Sequence, residues 1–259
     1  MLTPTAVRLA SQSSNDSYAA LLYQGSHPTE GVILTHGMFS SKQSRAVQEL
    51  LPVLCHAERT ALAVDLYAHG ESTGSFTSLT AEKIIESITT AVDYLRTQGV
   101  QSISLFGSSM SGFACLEAAH RYQKFIKNVV LKSPVVSYRD LYQRRLGEAG
   151  LQRWKADAYL TLSDAQHGVS QRLPYTFFES LESYPFATKP LSPDVPVHVV
   201  YGGADTVVPP EHIEQEIPLK ASAYTLCLIP GADHAYSNPN DRAALQEALS
   251  QRLRGDMTF

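Results

Sequence analysis

Apolar positions along the chain follow two alternating periods. Short runs that are almost wholly apolar (GVILTHG, TALAVDL, SISLFG, NVVLKSP, VHVVYGG and YTLCLIPG) are separated by longer stretches with apolar residues at helical spacing. Short apolar runs bounded by turn residues predict strands buried on both faces of a sheet. Between them the spacing predicts a helix over about residues 42–56. A second helix opens with Thr80 as N-cap, carries Ile84, Ile88, Ala91, Val92 and Leu95 on one stripe, and closes before Gly99. Further helices are predicted over about residues 109–123, 209–216 and 240–254, the last with Leu245, Leu249 and Leu253 one turn apart. Near the start, AVRLA and YAALLYQG flank the polar SQSSNDS, which reads as a hairpin. The alternation predicts an α/β fold: a mostly parallel sheet of about eight strands with helices on both faces, and active residues beyond the carboxyl ends of the strands.

The alternation stops at about residue 136 and resumes near 192. The segment between reads as helical pieces without a strand, and it is rich in aromatics: Tyr138, Tyr142, Trp154, Tyr159, Tyr175, Phe177, Phe178, Tyr184 and Phe186. A long insertion of this kind in a compact α/β domain predicts a helical cap over residues 136–191. The core of the single domain is then residues 1–135 and 192–259. No internal repeat or low-complexity segment is present.

Composition narrows the class of function. At 259 residues, 44% hydrophobic and 18% charged, the chain is ordinary for a globular domain. A net charge of −4 with no basic run argues against nucleic-acid binding. No stretch is long and apolar enough to span a bilayer, and the N-terminus lacks the pattern of a signal peptide, so a cytoplasmic location is expected. Cys55, Cys115 and Cys227 are scattered, without metal-ligand spacing, and read as small core residues.

Candidate chemistry lies in LFGSSMSGF, residues 105–113, where a predicted strand turns sharply into a helix. Such a turn can hold a nucleophilic serine exposed, provided the residues two before and two after it are small. Ser109 meets this with Gly107 and Ser111; Ser108 would need a small residue at Phe106, and Ser111 one at Phe113. A serine hydroxyl needs a base, and the base a carboxylate to orient it. GGADTVVP puts Asp205 just beyond one later strand and GADHAY puts His234 just beyond the next, in the order serine, acid, histidine. Asp233 reads as a loop acid and His198 as a core residue within a strand. His212 falls on a short helix and His167 in the insertion; His27, His56 and His120 read as surface residues. The oxyanion of an acyl-transfer intermediate needs backbone donors, for which the amides of Met110, after the nucleophile, and Met38, after His36-Gly37, are the candidates.

Together HGMFSS, DLYAHGEST, GSSMSG, GGADTVVP and GADHAY resemble the α/β-hydrolase fold family over essentially the whole chain. DLYAHGEST is similar to the D-x-x-G-H-G-x-S segment of monoacylglycerol lipases, lysophospholipases, feruloyl-type esterases and serine aminopeptidase-like hydrolases, with Ala68 replacing a glycine. Ser111 likewise stands where that family usually has glycine. The segment around His69 is a structural loop in this reading. The resemblance implies attack by Ser109 on a carbonyl, His234 as base and then acid, Asp205 holding its tautomer, and an acyl-enzyme released by water, with no metal or organic cofactor needed. A serine nucleophile, in place of an aspartate, argues against the haloalkane dehalogenase and epoxide hydrolase branches.

The aromatic insertion suggests an apolar pocket, with Phe39, Tyr138, Tyr142, Trp154 and Val207 as lining candidates beside the Met38 side chain. The expected activity is hydrolysis of carboxylic esters of small to medium acyl or aryl groups, a small-molecule substrate. An acyl-thioesterase or acyltransferase with the same triad is the alternative; Arg144-Arg145 could meet an acidic substrate group or an acyl carrier, but a solvated helix face is the favoured reading for them. A hydrolase-fold protein that binds without turnover is the third reading. Substrate, oligomeric state and pathway are not encoded in local sequence.

Overall fold

The computed structural model describes residues 3–56, 59–164, 168–184, 191, 194–217 and 223–254. Phe186 and His167 lie outside them, as do the side chains of Cys55 and His56. The strands are β1 (Thr5–Ala10), β2 (Ser17–Tyr23), β3 (His27–Thr35), β4 (Arg59–Val64), β5 (Ser102–Ser108), β6 (Ile126–Lys132), β7 (Tyr159–Asp164), β8 (Val169–Pro174), β9 (Val197–Gly202) and β10 (Tyr224–Ile229). The helices are α1 (Arg45–His56), α2 (Ala81–Thr97), α3 (Ser111–Arg121), α4 (Tyr138–Asp157), α5 (Tyr175–Ser180), α6 (Pro210–Glu216) and α7 (Pro239–Arg254). Eight strands form one sheet in the order β1-β2-β4-β3-β5-β6-β9-β10. Its pairings are parallel from β4 to β10, and β2 alone runs against the rest. The fold is therefore α/β, with an eight-stranded, mostly parallel sheet.

Alternation along the central strands feeds two cores. On β3, Ile33 faces one side with α2 and α3, while Val32 and Leu34 face the other with α1 and α7. On β5, Leu105 joins the first core and Phe106 the second. This is why the strands read as continuous apolar runs. Ile84, Ile88, Val92 and Leu95 of α2 lie in the first core, and Leu245, Leu249 and Leu253 of α7 in the second. Thr80 caps α2, its side chain accepting from the Lys83 amide.

The segment between β6 and β9 departs from the helical expectation. Helix α4 is broken at Gly147, whose φ of 60° and ψ of 178° are not helical. After it, β7 and β8 pair antiparallel as a separate two-stranded sheet. YLTLSD carries a period of two, with half-buried Leu160 and Leu162 alternating with exposed Thr161 and Ser163. Its partner, VSQRLP, is polar and exposed for half its length, so nothing in its composition marks a strand. Trp154, Tyr142, Tyr175 and Phe178 cluster with ring centroids 5.0–5.6 Å from the tryptophan, whose Nε1–H donates to the Leu173 carbonyl at 3.1 Å.

Candidate active site

The register of β5 against β6 places Ser108 opposite Lys132, so the turn after β5 opens at the carboxyl edge of the sheet. Ser109 sits in that turn with φ of +50°, left-handed for a residue with a Cβ. The surroundings show what holds it there. A Cβ at Gly107 would lie 2.8 Å from Cys115 Sγ, and one at Gly112 2.4 Å from Pro134 Cβ. Ser111 is fully buried; its Oγ accepts from the Ser108 amide at 2.8 Å and donates to the Ser108 carbonyl at 3.1 Å. Its hydroxyl thus closes the turn, which accounts for a serine where the family pattern has glycine.

Asp205 follows β9 and His234 follows β10. His234 Nε2 lies 3.0 Å from Ser109 Oγ, and Nδ1 lies 2.7 Å from Asp205 Oδ2. Asp205 is 3% exposed, and its Oδ1 accepts from the amides of Val207 and Val208, both at 2.8 Å. Three side chains from separate strand ends therefore form one hydrogen-bonded line. Asp233 points elsewhere: its Oδ1 accepts from the Ser237 amide, a bond that holds its carboxyl below the usual range.

Close packing of backbone keeps these loops in place. A Cβ at Gly202 would lie 2.2 Å from the Ala232 carbonyl, and one at Gly203 2.3 Å from the Pro230 carbonyl. Gly202→Ala would push the His234 loop off β9. It is expected to cost about 3 kcal/mol in urea denaturation; an unchanged midpoint would show that the loop gives way freely.

The loop after β3 reaches the same turn. A Cβ at Gly37 would be 3.2 Å from Ser109 Cβ, so glycine permits the approach. His36, which local sequence does not mark, fixes this loop: Nδ1 donates to the Gly37 carbonyl at 2.7 Å while Nε2 accepts from the Leu66 amide at 3.1 Å. Among the described residues neither the Met38 nor the Met110 amide is engaged by another protein group. The DLYAHGEST segment wraps Asp65, which accepts from Lys42 Nζ and the Lys42 and Glu71 amides at 2.6–2.9 Å. Ala68 takes φ of 60°, the left-handed conformation for which glycine is the usual residue.

A cavity of about 850 Å³ opens over Ser109 and His234. Phe39, Tyr138, Tyr142 and Val207 line it, with Met38 and Leu141. Trp154 does not: it is 2% exposed and packed within the insertion, because Tyr142 lies between it and the cavity side. Arg145 lines the cavity and donates to the Val207 carbonyl, whereas Arg144 is committed to Asp140 at 2.7 and 2.8 Å and to Gln215.

Buried histidines fill structural positions. His212 bridges α6 and the start of α4, Nε2 accepting from the Val136 and Ser137 amides and Nδ1 donating to Asp140. His198 is buried in β9 with its Nδ1 unpaired among the described residues, so it is a core residue but not a satisfied one. Burial lowers the pKa of His36 to about 3 and of His198 to about 4, and lowers those of His69 and His212. The unfolded chain takes up these protons near pH 6.5 and the folded one resists, so the stability they provide is present above that pH. As pH falls from about 6.5 toward 4 that stability is lost. Urea midpoints are expected to fall by the equivalent of several kcal/mol across this window, and a midpoint level from about pH 7 to pH 5 would contradict it.

Among the described residues no cluster of three or more His, Cys, Asp or Glu could hold a metal ion, and no helix is long and apolar enough to cross a membrane. The family model described as serine aminopeptidase, S33 matches residues 26–173. Similar solved structures include a putative hydrolase from Agrobacterium vitis S4, with a TM-score of 0.83 at 20% identity over 98% of each chain. Mouse α/β hydrolase domain-containing protein 10 gives 0.81 at 17%, covering 98% of this chain and 99% of that one. Est1E from Butyrivibrio proteoclasticus with ferulic acid bound gives 0.78 at 22%, covering 97% and 99%. Likeness at these identities is one of fold. No curated protein sequence matches the chain.

Proposed function

The chain belongs to the serine aminopeptidase (S33) family of α/β-hydrolases, and from that premise we propose that it hydrolyses carboxylic esters of small to medium acyl or aryl groups, with Ser109 as nucleophile. The observation that carries the reading is the unbroken line of Asp205, His234 and Ser109 at 2.7 and 3.0 Å beneath an open cavity. In this mechanism Ser109 Oγ attacks the ester carbonyl carbon as its proton passes to His234 Nε2. The oxyanion is met by the Met38 and Met110 amides, the second at the N-terminal end of α3. Collapse of the tetrahedral intermediate breaks the bond to the alcohol oxygen, which takes the proton back from His234. Water, deprotonated by His234, then attacks the acyl-enzyme, releases the carboxylic acid and restores Ser109. Every step is balanced by proton transfer alone.

Tyr138, Tyr142, Leu141 and Phe39 give the cavity an apolar wall suited to an acyl chain or aromatic ring. The ferulic acid bound to Est1E is an aryl acid of this kind. Residues 136–191 act in this reading as a cap that supplies much of that wall. Arg45, Arg145 and Arg242 also line the cavity, an arrangement that favours the second reading, an acyl thioester with an anionic carrier.

The test is a panel of p-nitrophenyl esters, acyl thioesters and an aminoacyl p-nitroanilide, alongside labelling by a fluorophosphonate. Turnover of the oxygen esters with stoichiometric labelling supports the reading. Preference for the thioester moves it to the alternative, and preference for the anilide to the peptidase branch. A folded protein that neither turns over nor labels would be a binding protein.

A further inference from the structure

The loop carrying His234 is gripped by two cations that the proton relay does not use. We propose that Lys132, assisted by Arg45, is a positioning residue: the two side chains hold consecutive carbonyls of that loop and so fix the imidazole between Asp205 and Ser109. The effect on rate rests on the serine-hydrolase reading; the grip itself does not.

Lys132 ends β6, at the edge of the sheet opposite Ser108. Its side chain is buried, and Nζ donates to the His234 carbonyl at 2.9 Å. The same ammonium stands 4.8 Å from the centroid of the Tyr236 ring, a cation–π contact. The next residue, Ser133, shares a hydrogen bond of 3.2 Å with the Tyr236 hydroxyl. From the other side Arg45, the first residue of α1, donates to the Ala235 carbonyl at 2.7 Å. The loop is thus tied to β6 through His234 and Tyr236, and to α1 through Ala235. Inside it, the Tyr236 amide donates to the Asp233 carbonyl and the Ser237 amide to Asp233 Oδ1. Tyr236 and Ser133 both take positive φ, 52° and 40°. Such conformations persist where surrounding contacts over-determine them.

The chemistry of the choice supports the assignment. An ammonium taken out of water is costly unless it is well paired, and the hydrogen-bond acceptor here is a loop carbonyl, not a carboxylate. A methionine would fill similar space without that cost, so the charge serves the position of the loop. Burial pushes the Lys132 amine down to about 8. Asp205, Asp233 and Glu49 oppose that fall, and Arg45 adds to it. A neutral amine donates a weaker bond than an ammonium, so the grip slackens as pH rises through about 8.

The test compares wild type with Lys132→Met, which lacks donor and charge, and Lys132→Gln, which keeps a donor only. In Lys132→Met kcat is expected to fall about tenfold or more with KM within about twofold, since misplacement affects the transition state and not ground-state binding. Amide exchange of Tyr236 and Ser237 is expected to speed up about tenfold relative to amides of β5 and β6. Lys132→Gln should fall between, and should lack the decline in kcat expected of wild type above about pH 8. A folded variant in which those two amides keep their protection overturns the proposal. Should Lys132→Met not fold, Lys132→Gln decides by the same readout. A wild type without turnover defeats the serine-hydrolase reading, while the exchange comparison still decides the grip.

Discussion

Ser109→Ala is expected to lower kcat on any activated ester by about ten-thousandfold or more and to abolish fluorophosphonate labelling, with KM little changed. The argument is geometric. Among the described residues, only the Ser109 oxygen lies within hydrogen-bond reach of His234 Nε2, at 3.0 Å. Its neighbours in the turn are poor substitutes: Ser108 is the last residue of β5, and the Ser111 hydroxyl is buried and committed to both backbone groups of Ser108. The variant should fold, because alanine keeps the Cβ and the turn is held by Ser111 and by backbone bonds from Ser109 to Lys132 and Val135. The measurements are steady-state kinetics, labelling and a thermal melt on the same preparation. A folded Ser109→Ala protein that still labels or turns over at a comparable rate would place the nucleophile elsewhere.

Asp205→Asn is expected to cost about a thousandfold to ten-thousandfold in kcat, through the tautomer of His234 and not through its position. Asp205 Oδ1 accepts two backbone amides, from Val207 and Val208. An asparagine must present its carbonyl oxygen to those donors, which leaves its NH2 facing His234 Nδ1. That nitrogen then has to accept, so the ring carries its proton on Nε2 and cannot take one from Ser109. Nearly isosteric replacement should leave the hydrogen-bond count and the melt close to wild type. The contrast with Gly202→Ala is diagnostic, since that change acts on stability by displacing backbone. If Asp205→Asn retained wild-type kcat, Asp205 would be a loop-capping residue and the reading of the relay would fail.

Much of the fold is legible because it is encoded over short distances. Apolar runs such as GVILTHG and VHVVYGG read as strands covered on both faces, and residues 32–35 of β3 and 197–201 of β9 are 0% to 7% exposed. The choice of Ser109 over its neighbours follows from the size of residues two positions away. Asp205 and His234 are legible as strand-end residues in a given order, and the sheet brings them to one line with Ser109. What was not legible has the opposite character. β8 is polar, so only its pairing with β7 makes it a strand. Trp154 reads as a pocket aromatic in a segment full of them, and its burial among Tyr142, Tyr175 and Phe178 depends on the break at Gly147 and on that hairpin.

Lys132 and His36 mark the division most sharply. A lysine at a strand end and a histidine before a glycine look like solvated or turn residues. Here they fix the two loops that flank Ser109, through contacts with His234, 102 residues away, and Leu66, 30 residues away. The sequence by itself determined the α/β architecture, the tight turn that carries Ser109 and the strand-end placement of Asp205 and His234, since periodicity and local sterics act between residues a few positions apart. Only the tertiary structure decided which polar side chains are buried against those loops, because that depends on strand register and on packing between segments that sequence distance does not connect.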